Sequence, residues 1–476
     1  MIGVGTPAQA SNIEKYGMPL RSMLQMNHIP INQQEPICAL ATASGVGAIA
    51  VVRVSGEGAI DLTNRYFRGK DLTKAESHTV HFGTIHQGGT LIDEVLVTVF
   101  RSPRSFTKED AVEISCHGSD YIVRQILKVL VKGGARIARP GEFTQRAFLN
   151  GQFDLVQAEA VADLIAADSE VSHRTALTQL RGGFSKKLQA LREELIHFAS
   201  LVELELDFGE EDVEFAQRDD LRVLIQNLQD TIHPLIDSFD YGNALKEGVP
   251  VAIIGSPNVG KSTLLNALLN EEKAIVTEIA GTTRDVIEDT LVLEGLKFRF
   301  IDTAGIRETQ DVVESLGIER SRRAMEKADV VLMLYDSEET LREVELLAQA
   351  LPAGKKVIWV RNKVDLLAPS ITSSPDTVSI SAHTHLNLDT LKATIVAQVQ
   401  NQAGTDTVVT NLRHYEHLVK TSAALDEVLE GLDAGITGDF LAQDIRLALY
   451  HLGEITGTIV SDDLLANIFS KFCIGK

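Results

Sequence analysis

The chain has 476 residues and a net charge of −21, from 66 Asp and Glu against 45 Lys and Arg. That length suits roughly three domains, each with its own core. A surface of this sign repels a nucleic-acid backbone overall, so any RNA contact must use a local basic patch or a partner. The three cysteines, Cys38, Cys116 and Cys473, lie far apart and form no CxxC pair. That spacing argues for a reducing compartment and against structural disulfides or a zinc site. No apolar run reaches the length of a membrane span. Residues 1–34 have no apolar core of a signal peptide and too few arginines for a transit peptide. They read as a poorly patterned N-terminal extension, disordered or arising from a misplaced start, and the expected location is cytoplasmic.

In chain order, Ile37–Val54 alternates small, glycine and β-branched residues, which predicts two short strands around a glycine turn. Further β-like runs follow at Val80–Ile85, Leu91–Phe100 and Ala111–Cys116, then a helical pattern at Tyr121–Lys132. These elements predict a small α+β domain over residues 35–151. From Asp154 the character changes. Leu177, Leu180, Phe184, Leu188, Leu191, Leu195, Phe198 and Val202 recur at steps of three and four, which predicts one long amphipathic helix, interrupted at Gly182–Gly183. The stretch Val202–Phe215 is densely acidic and reads as a solvated loop or helix end. A second helix is expected from about Asp219 to Ser238. Over 247–403, apolar strands (VAIIG, KFRFID, VVLMLYD, KVIWVRN, TVSIS) alternate with helical stretches, as in a parallel α/β sheet. Helices return at Leu412–Leu432, Phe440–Leu452 and Ser461–Phe472. The fold class expected is multidomain α+β and α/β. A helical domain is split into 152–246 and 404–476 by an inserted α/β domain.

Within that insert, Gly255–Thr263 reads GSPNVGKST directly after an apolar strand. GxxxxGK[ST] between strand and helix is a phosphate cradle, whose glycines let backbone N–H groups close on the phosphates. Asn258, Val259, Gly260, Lys261, Ser262 and Thr263 are its candidate ligands. Lys261 would reach the β/γ-phosphates, Ser262 would ligate Mg²⁺, and the following helix would aim its positive end at the anion. Four more elements follow in the order of a guanine-nucleotide switch. Gly281–Asp285 (GTTRD) offers Thr282 and Thr283, and a threonine here completes a Mg²⁺ shell only when a γ-phosphate is present. Asp302, Thr303, Ala304 and Gly305 (DTAG) end a strand, with Asp302 on the metal's water shell and the Gly305 amide near the γ-phosphate. Asn362, Lys363 and Asp365 (NKVD) select guanine, because a carboxylate accepts from both N1 and the exocyclic amine, a donor pair adenine lacks. At Ser381–Ala382 a backbone amide would meet guanine O6. Each short motif alone has a plainer reading as a surface turn. Five in order, each after an expected strand, leave little room for it.

A glutamine soon after DxxG orients the attacking water in Ras-type enzymes. Here Ile306, Arg307 and Glu308 follow Gly305, and an apolar side chain cannot position water. Glu308, Asp311 and Glu314 are the downstream carboxylates available.

The chain resembles the MnmE (TrmE) family of tRNA-modification GTPases from about Glu35 to Lys476. Four segments outside the general GTPase motifs carry the resemblance: Val51–Gly56 (VVRVSG), Pro103–Gly118 (PRSFTKEDAVEISCHG), Arg139–Gly151 (RPGEFTQRAFLNG) and Phe472–Lys476 (FCIGK). It implies an N-terminal tetrahydrofolate-binding dimerisation domain, a discontinuous helical domain and an inserted G domain of the P-loop GTPase (Ras-like) class. It also implies a homodimer through the N-terminal domain and a heterotetramer with a flavin- and NADH-using partner (MnmG/GidA). Together these would add an aminomethyl or carboxymethylaminomethyl group to carbon 5 of the wobble uridine of certain tRNAs. The resemblance further implies that GTP hydrolysis is required and that a folate such as 5-formyltetrahydrofolate supplies the one-carbon unit.

Position by position, the resemblance places K⁺ on Asn258, Thr277, the backbone of Ile279 and Thr282, where a fixed cation would replace an arginine finger. Ser262 and Thr283 match the Mg²⁺ ligands. Glu314 matches the water-orienting acid and, with Lys261 and Thr283, makes up the candidate catalytic set. Arg53 and Glu113 match folate-binding positions, as does the terminal Lys476, which would close over the folate. Gln152 stands where the family has a basic residue and keeps hydrogen bonding without the charge. Cys473 is a candidate for chemistry, with the incidental reading equally open. Cys116 and His117 look like a dyad, but adjacent residues on a strand point to opposite faces.

Two other readings compete. One is a ribosome-assembly or regulatory GTPase of the Era or Der type, which would carry a basic RNA-binding domain or a second G domain. This chain shows neither basic patterning after Ala403 nor a second P-loop. The other is a self-sufficient folate-dependent transferase, but no GxGxxG sits in a strand–helix context to hold a redox dinucleotide.

Overall fold

A computed structural model describes residues 35–207, 218–271, 289–301, 314–351, 354–366, 377–400 and 408–475. Its contacts gather into two compact units. One holds the residues up to 162, 179–228 and those from 420 on; the other holds 163–178 and 229–419.

The first unit is built on a seven-stranded sheet. In chain order its strands are β1 (Ile37–Leu40), β2 (Ile49–Ser55), β3 (Phe67–Arg68), β4 (Thr79–Gln87), β5 (Thr90–Phe100), β6 (Ala111–His117) and β7 (Arg136–Ile137). Their spatial order is β3-β4-β5-β6-β2-β1-β7. All pairings are antiparallel except β1 with β7. β2 and β6 alternate in burial: Val52, Val54, Val112 and Ile114 face a core shared with the helices Ala59–Tyr66 and Asp120–Lys132. The side chains between them, including Arg53 and Glu113, face the other way and sit opposite each other in the register. A period of two forces this separation.

The same unit contains the helices Glu142–Leu149 and Asp462–Ser470 and the first part of Leu155–Ala166, which share a cluster of Phe148, Leu149, Leu155, Leu465, Ile468 and Phe469, with Phe472 just beyond the last helix. The stripe expected to form one helix from Leu177 to Val202 forms two, Glu170–Leu180 and Gly183–Asp207. Gly182, at φ +78°, breaks it. The acidic stretch begins inside the second helix, and residues 208–217 lie outside the described ones.

The second unit carries a six-stranded sheet. Its strands are β8 (Val249–Ile254), β9 (Asp289–Leu293), β10 (Leu296–Phe300), β11 (Val330–Tyr335), β12 (Lys356–Arg361) and β13 (Thr377–Ser379), in the order β13-β12-β11-β8-β10-β9. The five strands expected from their apolar runs are parallel to one another. The sixth, β9, is an antiparallel edge strand on β10. Its sequence, DTLVL, is short and half exposed, so it lacked the continuous apolar run that marks its buried neighbours. Both faces of β8 and β11 are covered: Val251, Ile253, Leu332 and Leu334 face one core, and Ala252, Ile254, Val331 and Met333 the other. Among the described residues no helix is long and apolar enough to cross a membrane.

Candidate functional site

The nucleotide site lies at the C-terminal ends of β8, β11 and β12, the rim where open α/β sheets bind ligands. β8 ends at Ile254, and six residues separate it from the helix Lys261–Glu271. Between them the backbone turns through positive φ at Asn258 (+65°) and Gly260 (+98°). At Gly260 a Cβ would lie 2.4 Å from Asn362 Nδ2, and at Gly255 it would lie 2.4 Å from the Leu334 carbonyl. Gly255 is therefore required by its close approach to backbone, and Gly260 by turn geometry as well as by its approach to Asn362. Lys261 Nζ donates to the carbonyls of Gly255 (2.8 Å) and Ser256 (2.9 Å). The side chain thus arches over the loop it follows, and burial pushes its ammonium below the usual lysine range.

Asn362 ties three motifs together. It is 2 % exposed. Its Nδ2 donates to the Val259 carbonyl at 2.8 Å, and its Oδ1 accepts from the Ala382 amide at 3.0 Å. The P-loop, the NKVD turn and the Ser381–Ala382 turn, 103 and 20 residues from Asn362, are thereby fixed to one side chain. Lys363, at φ +61°, lays its ammonium on the Asn258 carbonyl (2.6 Å) and on Asp336 Oδ2 (2.7 Å). A cavity of about 350 Å³ opens here, lined by Gly260, Thr263, Asn362, Lys363, Asp365, Leu366, Ser381 and His383. Asp365 is exposed at its lip on a short 3₁₀ turn.

At the Ser381–Ala382 turn both backbone amides have partners in this conformation. The Ala382 amide already serves Asn362, and the Ser381 amide donates to the Leu386 carbonyl at 3.1 Å. Neither faces the cavity as a free donor in this conformation. His383, the next residue, lines it. The reading of the sequence also missed Asp336, which holds Lys363. The signal was present, since an acid closes the strand run VVLMLYD.

Thr277, Ile279, Thr282, Thr283 and the run Asp302–Gly305 lie outside the described residues. Glu314 is the first residue of the helix Glu314–Lys327.

A second cluster forms on the outer face of the N-terminal sheet. Arg53 donates to Glu113 Oε1 from Nε (3.0 Å) and Nη2 (2.8 Å). The pair keeps about a quarter of its surface exposed, 23 % and 29 %. The Arg53 guanidinium lies 5.5 Å from the Phe106 ring centre and 5.6 Å from that of Phe143, within cation–π range. The C-terminal segment comes to the same place. Arg53 Nη1 reaches the Gly475 carbonyl at 3.5 Å. At Gly475, φ is +96° and a Cβ would lie 2.1 Å from the Leu40 carbonyl, so no side chain fits there. Cys473 is exposed, and its carbonyl accepts from the Gly141 amide. Gln152 is exposed beside Phe153, whose ring packs 5.9 Å from Phe106. The chain's last residue, Lys476, lies outside the described ones.

Beneath this cluster runs a charged network that explains the segment Arg139–Gly151. Glu142 and Arg146 are buried, 0 % and 2 % exposed. Glu142 accepts from Arg136 (2.6 and 2.9 Å), from Arg146 (3.3 Å) and from the Arg139 amide (2.8 Å). Burial opposes its ionisation, but the bonds from Arg136 and the Arg139 amide outweigh it and hold the carboxyl at about 2. Arg146 also reaches Glu109, which accepts from Ser55 on β2. Cys116 and His117 do not form a dyad. Cys116 is buried against the Ala50 carbonyl, and burial pushes its thiol up to about 11, while exposed His117 bonds Asp93 at 2.8 Å.

A P-loop closed against an NKxD turn at the rim of a mainly parallel sheet defines a P-loop nucleotide-binding protein of the GTPase type. Comparison with known families sharpens this. A family model described as the MnmE helical domain matches residues 155–473, and one described as the GTP-binding protein TrmE N-terminus matches 36–152. The chain is similar to the tRNA modification GTPase MnmE of Cytophaga hutchinsonii, 56 % identical over 94 % of this chain and 98 % of that protein. Its likeness to the proteins of the same name from Bacteroides fragilis and Flavobacterium johnsoniae is 52 % and 51 %, over 93 % of this chain and 100 % and 99 % of theirs. The chain belongs to the MnmE family of tRNA modification GTPases.

Proposed function

We propose that this protein is a K⁺-stimulated GTPase that modifies carbon 5 of the wobble uridine of certain tRNAs together with a flavin-dependent MnmG-type partner, using a folate one-carbon unit. The observation that carries the reading is the Asn362 hub, which joins the P-loop to the guanine-selecting turn around one cavity. Asp365 accepts both guanine hydrogens at the lip. Lys261 exchanges the loop carbonyls for the β/γ-phosphates when GTP enters. The P-loop fits an anion, because its glycines admit no side chain into the cradle. Ser262 and Thr283 would hold Mg²⁺. Asn258, Thr277, Ile279 and Thr282 would hold K⁺, which supplies fixed positive charge beside the β/γ-phosphates. Glu314 would orient the attacking water.

The folate reading rests on Arg53 and Glu113. Their partly exposed ion pair between aromatic rings suits a ligand with a carboxylate and a flat N–H-bearing ring. The bound folate would supply the one-carbon unit. Arg53 would anchor its carboxylate, Glu113 would accept its ring N–H groups, and Gln152 and Lys476 would flank it. Homodimerisation through the N-terminal domain is supported by an apolar strip on the β4–β5 pair. There Phe82 sits opposite Leu96, with Val80 beside them, at 67, 47 and 56 % exposure. The domain limits remain those read from the sequence, and the expected setting is the cytoplasm.

The deciding experiment is steady-state GTP hydrolysis in K⁺ buffer and in Na⁺ buffer of equal ionic strength. Strong stimulation by K⁺ is expected. Equal slow rates would remove the cation site and favour a plain regulatory switch. Glu314→Ala should cut turnover by about a hundredfold with nearly unchanged nucleotide affinity, as expected for loss of a positioned base. Near-normal turnover would rule out its role.

A further inference from the structure

From Val171 to Arg192 the chain has no Asp or Glu and five Lys or Arg, in a protein of net charge −21. Four of the five, Arg181, Lys186, Lys187 and Arg192, belong to one compact unit. The break between two helices sets their placement. Gly182 donates to the Gln179 carbonyl and accepts from the Lys186 amide at 3.0 Å. Gln157 Nε2 caps the Leu180 carbonyl at 2.8 Å, so the break is pinned from a third element. The helix that follows buries Phe184, Leu188, Leu191 and Leu195. At 3.6 residues per turn, that stripe turns Lys186 and Lys187 outward. Arg181, Lys186 and Lys187 are exposed, whereas Arg192 is half-buried, its Nε enclosed without a hydrogen-bond partner. Lys186 runs back across the break, its Cε 3.8 Å from where a Cβ on Gly182 would sit.

Among the described residues none of the four makes an ion pair, although the protein has 66 acidic side chains to offer. Glu193 and Glu194 close the strip about 10 Å beyond Lys187 along the helix, and Glu193 is engaged by Gln189. The helix N-terminus adds positive potential at the same end. No large apolar side chain is exposed between Arg181 and Arg192, which argues against a membrane surface. Exposed cations without an ion pair among the described residues, on the polar face of a helix, suit a row of backbone phosphates.

We propose that the exposed cations Arg181, Lys186 and Lys187 form a contact surface for the phosphate backbone of tRNA. This rests on the tRNA reading above and locates the basic patch that an acidic protein needs to touch RNA at all.

The test titrates an in vitro transcribed tRNA against the full-length protein by fluorescence anisotropy, from 50 to about 200 mM KCl. The triple variant R181Q/K186Q/K187Q is compared with wild type and with K186R/K187R. Each phosphate contact contributes about 0.7–0.9 to the slope of log affinity against log salt, so the triple variant should be shallower by about 2. Its affinity at moderate salt should fall by about tenfold, its GTP hydrolysis should stay unchanged, and the arginine variant should bind like wild type. Wild-type affinity and slope in the triple variant would overturn the proposal, as would a wild-type protein that binds no tRNA at low salt. So would unchanged tRNA binding with lost modification in the reconstituted complex, which would assign the surface to an acidic protein partner. Failure of the underlying reading shows separately, as a wild-type complex that hydrolyses GTP while nucleoside analysis finds the wobble uridine unmodified.

Discussion

The two candidate sites of this protein are organised in opposite ways. The nucleotide site is made of short contiguous motifs at strand ends, each with a job set by its own few residues. The N-terminal cluster is made of single side chains drawn from β2, β6, the loop at Phe106, the turn at Gln152 and the far end of the chain. In the first, the backbone does the recognition and glycines are fixed in place. In the second, side chains converge and a buried ion network beneath them sets their positions. The first should therefore fail through a single wrong atom, and the second through loss of its support.

The sharpest way to break the nucleotide site is Asp365→Asn. The amide would donate where guanine also donates, removing two charge-assisted bonds of about 1.5–3 kcal/mol each. GTP affinity should drop by about a thousandfold, and xanthosine triphosphate, whose C2 carbonyl accepts, should bind better than GTP. Calorimetric titration of both nucleotides checks this. An unchanged preference would place the base elsewhere than the cavity at Asp365.

The matching change in the other region is Glu142→Ala. It leaves Arg136 and Arg146 facing a void where their shared carboxylate stood, and removing one partner of a buried pair costs about 3–5 kcal/mol. Denaturant unfolding should show that loss with GTP affinity unchanged. The pH dependence follows from the lowered carboxyl. Its folded value, about 2, lies below the unfolded 4.5. The stabilisation is therefore complete above pH 4.5 and disappears as pH falls through that window towards 2. Glu142→Gln should flatten the acid limb of the stability curve. A limb as steep as wild type would mean other carboxylates govern it.

That contrast also decides what the sequence could reveal. The strands of the nucleotide sheet were legible because burial on both faces leaves unbroken apolar runs, and the motifs because each sits directly after one. The edge strand β9 was missed for lack of such a run. The hub role of Asn362 was not legible either. The asparagine was visible as part of NKVD, but its grip on Val259 spans 103 residues. In the N-terminal domain, Arg53 and Glu113 came from resemblance, and no spacing rule links residues 60 apart. The register of β2 against β6 supplies that link. The Arg139–Gly151 segment was recognised as a signature without a reason. The reason is the Glu142–Arg146–Glu109 network, with Gly141 packed against the C-terminal helix, where a Cβ would lie 2.6 Å from the Phe469 carbonyl. Long-range ion networks leave no local pattern, because each member alone reads as a surface charge.

A smaller effect is expected from Asn362→Ala. Two buried bonds of about 1 kcal/mol each disappear, and the Val259 carbonyl and Ala382 amide lose their partner. GTP affinity should fall by about ten- to a hundredfold, with the hydrolysis rate at saturating GTP much less affected. If kcat fell while KM held, Asn362 would be acting on the reacting phosphates, which its burial 2.8 Å from a loop carbonyl does not allow.

The smallest effect is expected at Gln152, and it tests whether the second cluster binds what its chemistry suggests. The position is exposed, beside the Phe153 ring that packs on Phe106 and so borders the Arg53–Glu113 pair. A lysine there would add one cation to a site that already holds Arg53, facing an anionic ligand across water. Exposed pairs contribute about 0.2–1 kcal/mol. Gln152→Lys should therefore tighten 5-formyltetrahydrofolate by no more than about fivefold. The gain should fade as salt rises, because screening acts fully on exposed charges. Calorimetric titration at low and high salt separates the cases. A salt-sensitive gain places the folate carboxylate at Gln152. A gain that ignores salt would mean the lysine acts through its methylene chain against Phe153. No gain would move the ligand's charged end towards Arg53 alone, where Arg53→Gln should then abolish binding that Gln152→Lys could not improve.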